Sequence, residues 1–204
     1  SAGDRSIALG LADASCFQRM LQAALADYPD CTVVLKVHPD VISGRARGHF
    51  KAQDLAHPRV RLSADGGHPA RLLERARAVY VVTSQMGFEA LLWGCPVHCF
   101  GMPFYAGWGL THDRLDAPSR RRSGASLEAL VHAVLVASSR CIDPHRHQPC
   151  RVEVLMHSIG LQRRLQGHSP RRCVAFGFTP WKQRNLRRFL AGSHVGFRTP
   201  WWWI

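Results

Sequence analysis

Apolar residues at Phe17, Met20, Leu21, Ala24, Leu25 and Tyr28 recur at three- and four-residue spacing, so Asp13 to Tyr28 predicts a helix with one buried stripe. Pro29-Asp30 ends it. Thr32 to Val37 is a β-branched, nearly continuous apolar run of strand length, the pattern of a strand covered on both faces. The alternation then repeats. A strand at Arg59 to Leu62 leads through Asp65-Gly66-Gly67 to a helix at Pro69 to Arg77 and a strand at Ala78 to Val82. A helix at Met86 to Trp93, stopped by Gly94, precedes a strand at Pro96 to Phe100. Strands and helices alternating at this pace predict βαβ units and a Rossmann-like, doubly wound parallel sheet of the α/β class.

After Phe100 the rhythm changes. Gly101 to Ser123 reads as a long loop, and a loop of that length usually has a task. Ser126 to Ser139 predicts an amphipathic helix, Asp143 to Pro149 an interruption, and Val152 to Leu165 a basic helix. Beyond Ser169-Pro170, a strand at Arg172 to Phe178, a turn at Thr179-Pro180-Trp181 and a helix at Lys182 to Leu190 look like the opening of a second module. The expected division is therefore a Rossmann-like half at 1–140, a basic helical connector at 141–170, and the start of a second module at 171–204. Thr199 to Ile204, with three consecutive tryptophans, has no periodic partner.

Composition narrows the classes. With 46% hydrophobic residues over 204 positions the chain can bury a core, which excludes wholesale disorder. The longest apolar runs, Ala78 to Val82 and Val131 to Ala137, fall far short of the roughly 20 residues of a spanning helix, and no signal segment opens the chain. Seven cysteines at 16, 31, 95, 99, 141, 150 and 173 lack paired metal-site spacing and fit reduced thiols in a cytoplasm. The net charge of +13 is lopsided: residues 1–112 hold 11 Lys and Arg against 9 Asp and Glu, whereas residues 113–204 hold 16 against 5. Such a basic half suits an anionic membrane leaflet, an acidic polymer or nucleic acid, and charge does not choose among them.

In an open parallel sheet ligands bind beyond the carboxyl ends of the strands, so the residues that follow each strand are the candidates. Thr83-Ser84-Gln85-Met86-Gly87 passes directly from strand to helix, where free N–H groups and the helix dipole favour a phosphate, although Ser84 also suits a plain cap. Glu89 lies in a helix that is otherwise apolar nearly all round, so its carboxylate needs a partner such as ribose hydroxyls or an arginine. His38, beside Pro39 and two residues after Lys36, stands where the first strand runs out and can neutralise a departing phosphate, or be a surface histidine. Gly3-Asp4-Arg5-Ser6 joins the same rim, and Tyr105 with Gly107-Trp108-Gly109 reads either as an aromatic lid or as a packing loop. Strand alternation sends His98 to the face opposite Val97 and Cys99, which argues against a metal site in Cys95 to Cys99.

Taken in order, three stretches resemble the KpsC/LipA-type capsular polysaccharide proteins: Lys36 to Gly44 with Gly48-His49-Phe50, Val81 to Leu92, and His98 to Leu110 with its Pro103-Phe104-Tyr105-Ala106-Gly107-Trp108-Gly109 run. The resemblance covers Gly3 to about Phe189. It implies a retaining bacterial β-Kdo glycosyltransferase of GT-B-like build. Such an enzyme takes Kdo from CMP-Kdo and builds a short linker on a phosphatidylglycerol-type lipid at the cytoplasmic face of the inner membrane, where capsule is assembled for export. On that pattern His38 meets the leaving phosphate. Gly3, Asp4, Ser6, Lys36, Pro39, Thr83, Ser84, Gln85, Gly87 and Glu89 surround the donor, Tyr105, Gly107 and Trp108 border lid or acceptor, and no metal or separate cofactor is expected.

The family's essential carboxylate sits in an acidic-Asp-Gly motif of the other half of the cleft. Ala64-Asp65-Gly66 follows the His-Pro motif and is in the wrong order, so the chain reads as an internal piece, inactive alone. The expected partners are the donor, an anionic lipid acceptor, the membrane surface and export machinery, and not nucleic acid, for which no motif is present. Two other readings stand beside it: a UDP-sugar enzyme such as an epimerase, and a non-catalytic assembly or export factor that holds anionic glycolipid.

Overall fold

A computed structural model describes residues 4–37, 41, 43, 45, 48–63, 69–121, 123–168, 172–190 and 193–199. Two units divide the chain, Ser1–His132 and Ala133–Ile204. In the first, α1 (Arg5–Leu9) and α2 (Ser15–Asp27) precede β1 (Val33–Lys36), α3 (Ala52–Leu55), β2 (Val60–Ser63), α4 (Ala70–Leu73), β3 (Val79–Val81), α5 (Met86–Leu92), β4 (Val97–Cys99), β5 (His112–Asp113) and α6 (Leu127–Val131). β1 and β2 pair in parallel with Val33 opposite Val60, and β4 lies between β3 and β5, again in parallel. This is the expected α/β class. Among the described residues no ladder joins the pair to the triplet.

Helix α2 connects them through packing. Cys16 on its first turn is buried with Val82 and Phe100, while Leu21, further along the stripe, is buried with Leu35 and Val60. One amphipathic helix thus covers both ladders, and the apolar spacing that predicted the helix also serves two parts of the core. Gly94 ends α5 at φ +69°, a left-handed conformation that favours glycine.

Three departures have local causes. Helix α4 covers one turn of the stretch expected as Pro69 to Arg77, because beyond it the N–H groups of Arg75 and Ala76 reach back only three residues, to Leu72 and Leu73. The expected loop after Phe100 contains β5, whose two rungs set His112 beside His98 and Asp113 beside Cys99. Helix α6, capped by Ser126 accepting from the Ala129 N–H at 3.1 Å, opens into a π-helical stretch at His132–Ala137, across the division of the units. The structural division therefore falls eight residues before the expected boundary at 140.

The second unit holds a hairpin of β6 (Cys141–Ile142) and β7 (Pro149–Cys150), then α7 (Val152–His168) and a parallel pair of β8 (Arg172–Phe176) and β9 (His194–Arg198) joined through α8 (Pro180–Phe189). The expected opening of a module is thus a complete βαβ unit. β9 escaped detection because Gly196 and the exposed His194 and Arg198 interrupt its apolar pattern. No helix among the described residues is long and apolar enough to cross a membrane.

Candidate functional site

The carboxyl ends of β3 and β4 meet the first turn of the chain. Asp4 caps α1, its carboxylate accepting from the Ser6 N–H at 2.9 Å. The Ser6 hydroxyl stands 3.5 Å from that of Thr83, directly beyond β3. Gly10 and Gly101 make the approach possible: the Met102 N–H donates to the Gly10 carbonyl at 2.6 Å, and a Cβ on Gly10 would collide with the Thr83 methyl. Of the two, Gly101 opens the run that follows the Pro96 to Phe100 strand, whereas Gly10 carries no signal in the sequence. A rim results in which Ser6, Thr83, Ser84 and Gln85 follow one another, with Ser84 and Gln85 exposed.

Ser84 takes the capping role weighed for it, its hydroxyl oxygen accepting from the Met86 N–H at 3.3 Å. Its hydroxyl proton remains available. Glu89 is the acidic residue of α5, whose Gly87, Phe88, Ala90 and Leu91 are buried. One carboxylate oxygen of Glu89 is out of solvent and has no hydrogen-bond partner among the described residues, in keeping with its apolar surroundings. Lys36 closes β1 opposite Ser63. Gly3, His38 and Pro39 lie outside the described residues, as do Ala64 to His68 and the tryptophan-rich end from Pro200 onward.

Three assignments change. Tyr105 is wholly buried and not a lid; its hydroxyl donates to the Ser84 carbonyl, and its ring lies against Gly87, where an added Cβ would come within 2.7 Å of Cζ. Gly87 therefore makes room for Tyr105 beneath the rim. Gly107 is buried at φ +81°, its N–H donating to Asp113 at 2.8 Å. Trp108, with Nε1 donating to the Phe104 carbonyl at 2.8 Å, remains half-buried, and Arg121 lies 5.6 Å from its ring. Arg121 also donates to the carbonyls of Pro103 and Ala106 at 2.6 and 2.8 Å. The aromatic loop is thus pinned from two sides, by Arg121 and Asp113. Neither residue stood out in the sequence: one hides in an arginine run, the other in a two-residue strand.

Electrostatics keep this support neutral and donating. Burial, reinforced by Asp113, pushes the Cys99 thiol up to about 12. Burial, with Cys99 and Asp113, raises the Tyr105 phenol well above its ordinary range, so it stays a donor to Ser84. His98 sits half-buried on the face opposite Val97 and Cys99, as alternation predicted, stacked on Tyr80 at 4.5 Å and on His112 at 4.8 Å. Its imidazole is pulled below its ordinary range, chiefly by burial.

Parallel β–α units with hydroxyls and glycines gathered beyond their strand ends define a Rossmann-like α/β domain. More narrowly, the chain belongs to the capsule polysaccharide biosynthesis family, whose profile matches residues 1–141. It is 35% identical over 193 residues to the capsule polysaccharide modification protein LipA of Neisseria meningitidis serogroup B, covering 92% of this chain and 27% of that protein. The lipopolysaccharide-processing protein LpsZ of Rhizobium meliloti is 34% identical over 139 residues, covering 68% of this chain and 31% of LpsZ. Among solved structures, the β-Kdo 2,4 transferase of Thermosulfurimonas dismutans KpsC superposes with a TM-score of 0.71 at 39% identity, over 78% of this chain and 49% of that one. The β-Kdo 2,7 transferase of the same protein gives 0.59 at 29% identity, over 71% and 46%. The chain thus spans about a quarter to a third of the length of the curated relatives.

Proposed function

We propose that the first unit is the donor-binding half of a retaining β-Kdo glycosyltransferase that moves Kdo from CMP-Kdo to a phosphatidylglycerol-type lipid during capsule assembly. The observation that carries this reading is the rim itself: Ser6, Thr83 and Ser84 brought together beyond β3 by the close approach of Gly10 and Gly101, in a chain similar to two Kdo transferases. Kdo leaves from a phosphate, so negative charge grows on the departing CMP, and donors fixed at that point lower the barrier. His38, the Ser84 hydroxyl and the Gln85 N–H supply them. Lys36 adds positive charge at the end of β1, and Glu89 takes ribose hydroxyls through its unpartnered oxygen. The nucleophilic carboxylate belongs to the facing half of the cleft.

Trp108, half-buried beside the exposed Phe104 on the aromatic loop, borders the acceptor. The second unit, with 12 Lys and Arg against 2 Asp and Glu, suits the anionic leaflet in which a lipid acceptor resides, so the protein works peripherally at the inner membrane.

Titration calorimetry of the 204-residue chain with CMP and UDP tests the donor site. CMP is expected to bind, and Glu89→Gln to weaken it. Binding of UDP alone favours an epimerase-like enzyme, and binding of anionic glycolipid without either nucleotide favours an assembly factor. In an enzyme carrying both halves of the cleft, His38→Ala or Ser84→Ala is expected to lower kcat by about 10², the scale of losing one transition-state donor.

A further inference from the structure

Cys141 and Cys150 face each other across the β6–β7 hairpin, each opposite the other in register. The rung type follows from the neighbouring pairs. The Asp143 N–H donates to the Gln148 carbonyl at 2.9 Å, and Ile142 faces Pro149, which has no N–H, so 143 with 148 and 141 with 150 are the hydrogen-bonded rungs. Residues directly opposite on such a rung lie on one face of the ladder with Cα atoms about 5.5 Å apart. Disulfides span roughly 4.4–6.8 Å between Cα atoms, so the Cα spacing suits a bridge, and closing it draws the Cβ atoms from about 5.5 Å toward the roughly 3.5–4.5 Å of a disulfide. Both thiols are free and half-buried, and among the described residues no other two cysteines stand opposite each other on a strand pair.

The surroundings hold this register. Asp143 accepts from the His145 and Arg146 N–H groups at 2.8 and 3.2 Å, closing the turn, and His145 meets the Ser158 hydroxyl of α7 at 3.3 Å. The hairpin has only two rungs in its strands, and an isolated short hairpin is marginal in water. A covalent link would therefore change its opening more than its shape.

We infer that Cys141 and Cys150 form an oxidation-responsive cross-link that locks the β6–β7 hairpin at the entry to α7. The inference is independent of the transferase reading. The co-reactant is a low-molecular-weight disulfide. One cysteine thiolate attacks a sulfur of that disulfide and expels a thiolate. The second cysteine then attacks the mixed disulfide, forming the Cys141–Cys150 bond and expelling the other thiolate. Two cysteine thiols are oxidised, one small disulfide is reduced, and the two protons end on the two released small thiols. Burial, with Cys141 and Asp143 nearby, raises the Cys150 thiol, so closure is slow near neutrality and quickens as pH rises.

The test uses the whole chain, incubated with oxidised glutathione and digested without reduction. Trypsin cuts after Arg140, Arg146 and Arg151, placing Cys141 and Cys150 on separate peptides, 141–146 and 147–151. Mass spectrometry is expected to find these two peptides joined, at least tenfold above any other cysteine pair. Amide exchange across 141–150 is expected to slow about tenfold and to recover on reduction. Cys141→Ser should instead leave Cys150 as a stable glutathione adduct. Separate adducts on the two wild-type peptides, equal cross-linking through Cys31 or Cys173, or a link formed only in denaturant would each overturn the inference.

Discussion

Gly87 carries a consequence out of proportion to its size. Its absent side chain leaves space that the Tyr105 ring fills, and Tyr105 in turn holds the Ser84 carbonyl at the rim. Gly87→Ala forces an aromatic ring that is wholly buried to shift, and overpacking of a filled core costs about 1–3 kcal/mol. Tyr105→Phe keeps the ring and removes one hydrogen bond, a loss of about 1 kcal/mol. Urea unfolding is expected to rank the two variants in that order; a neutral Gly87→Ala would show that the ring has somewhere else to go. The sequence singled out Gly87 for the donor and Tyr105, Gly107 and Trp108 for lid or acceptor, but their residue types do not say which face a ring occupies. Burial decided that, and burial of Tyr105 depends on α5, β4 and the 103–109 loop together. Glu89 is the opposite case: a carboxylate in an apolar helix is legible from sequence alone as needing a partner, and one of its oxygens has none among the described residues.

At the level of elements, periodicity located α2, β1 to β4 and α5 to within a residue or two, because each buries a stripe or a strand face; the cover expected on both faces of β1 is not there, since Val34, and Leu62 on β2, are 47% and 51% exposed. It missed elements whose stability comes from neighbours: β5, two residues long, exists through its rungs with β4, and β9 carries exposed polar positions and Gly196. The rungs of β3, β4 and β5 have a cost at acid pH. They stack Tyr80, His98 and His112, with Asp27 accepting from the Tyr80 hydroxyl at 2.7 Å and Arg114 also near Asp27 at 3.9 Å. Burial, His112 and Arg114 lower the pKa of His98, and Asp27 only partly opposes them. With the folded value below the unfolded one of about 6.5, the unfolded chain takes up the proton first as pH falls, so stability drops below that pH and is unaffected above it. His98→Phe keeps the stack and removes the proton site. Urea midpoints at pH 7.5 and 5.5 are expected to differ less in the variant than in the wild type; equal differences would mean that His98 does not report the acid transition.

The two units differ in what holds them. Every buried residue of the described core, from Cys16 to Leu130, belongs to Ser1–His132, whereas no described residue of Ala133–Ile204 is buried. The second unit has a complete βαβ connection, yet Val174 and Phe176 of β8 are 59% and 57% exposed and Phe189 of α8 is 85% exposed. Parallel strands are stable when both faces are covered, and a short unit that buries little apolar surface does not offset its conformational entropy. The charge adds to this, since 12 cations against 2 anions repel one another at low ionic strength. Local opening in the 204-residue chain should therefore be frequent after His132 and rare before it. Brief trypsin treatment of the folded chain is expected to remove the arginine-rich second unit first and leave a resistant core ending close to residue 140. Amide exchange should show the same order, with β3, β4 and α5 slowest. Anionic vesicles that cover the basic surface would slow both the cleavage and the exchange of the second unit, an effect lost at high salt. Equal protection of β8 and β4 in the chain alone would mean that the second unit is held by something other than its own buried surface.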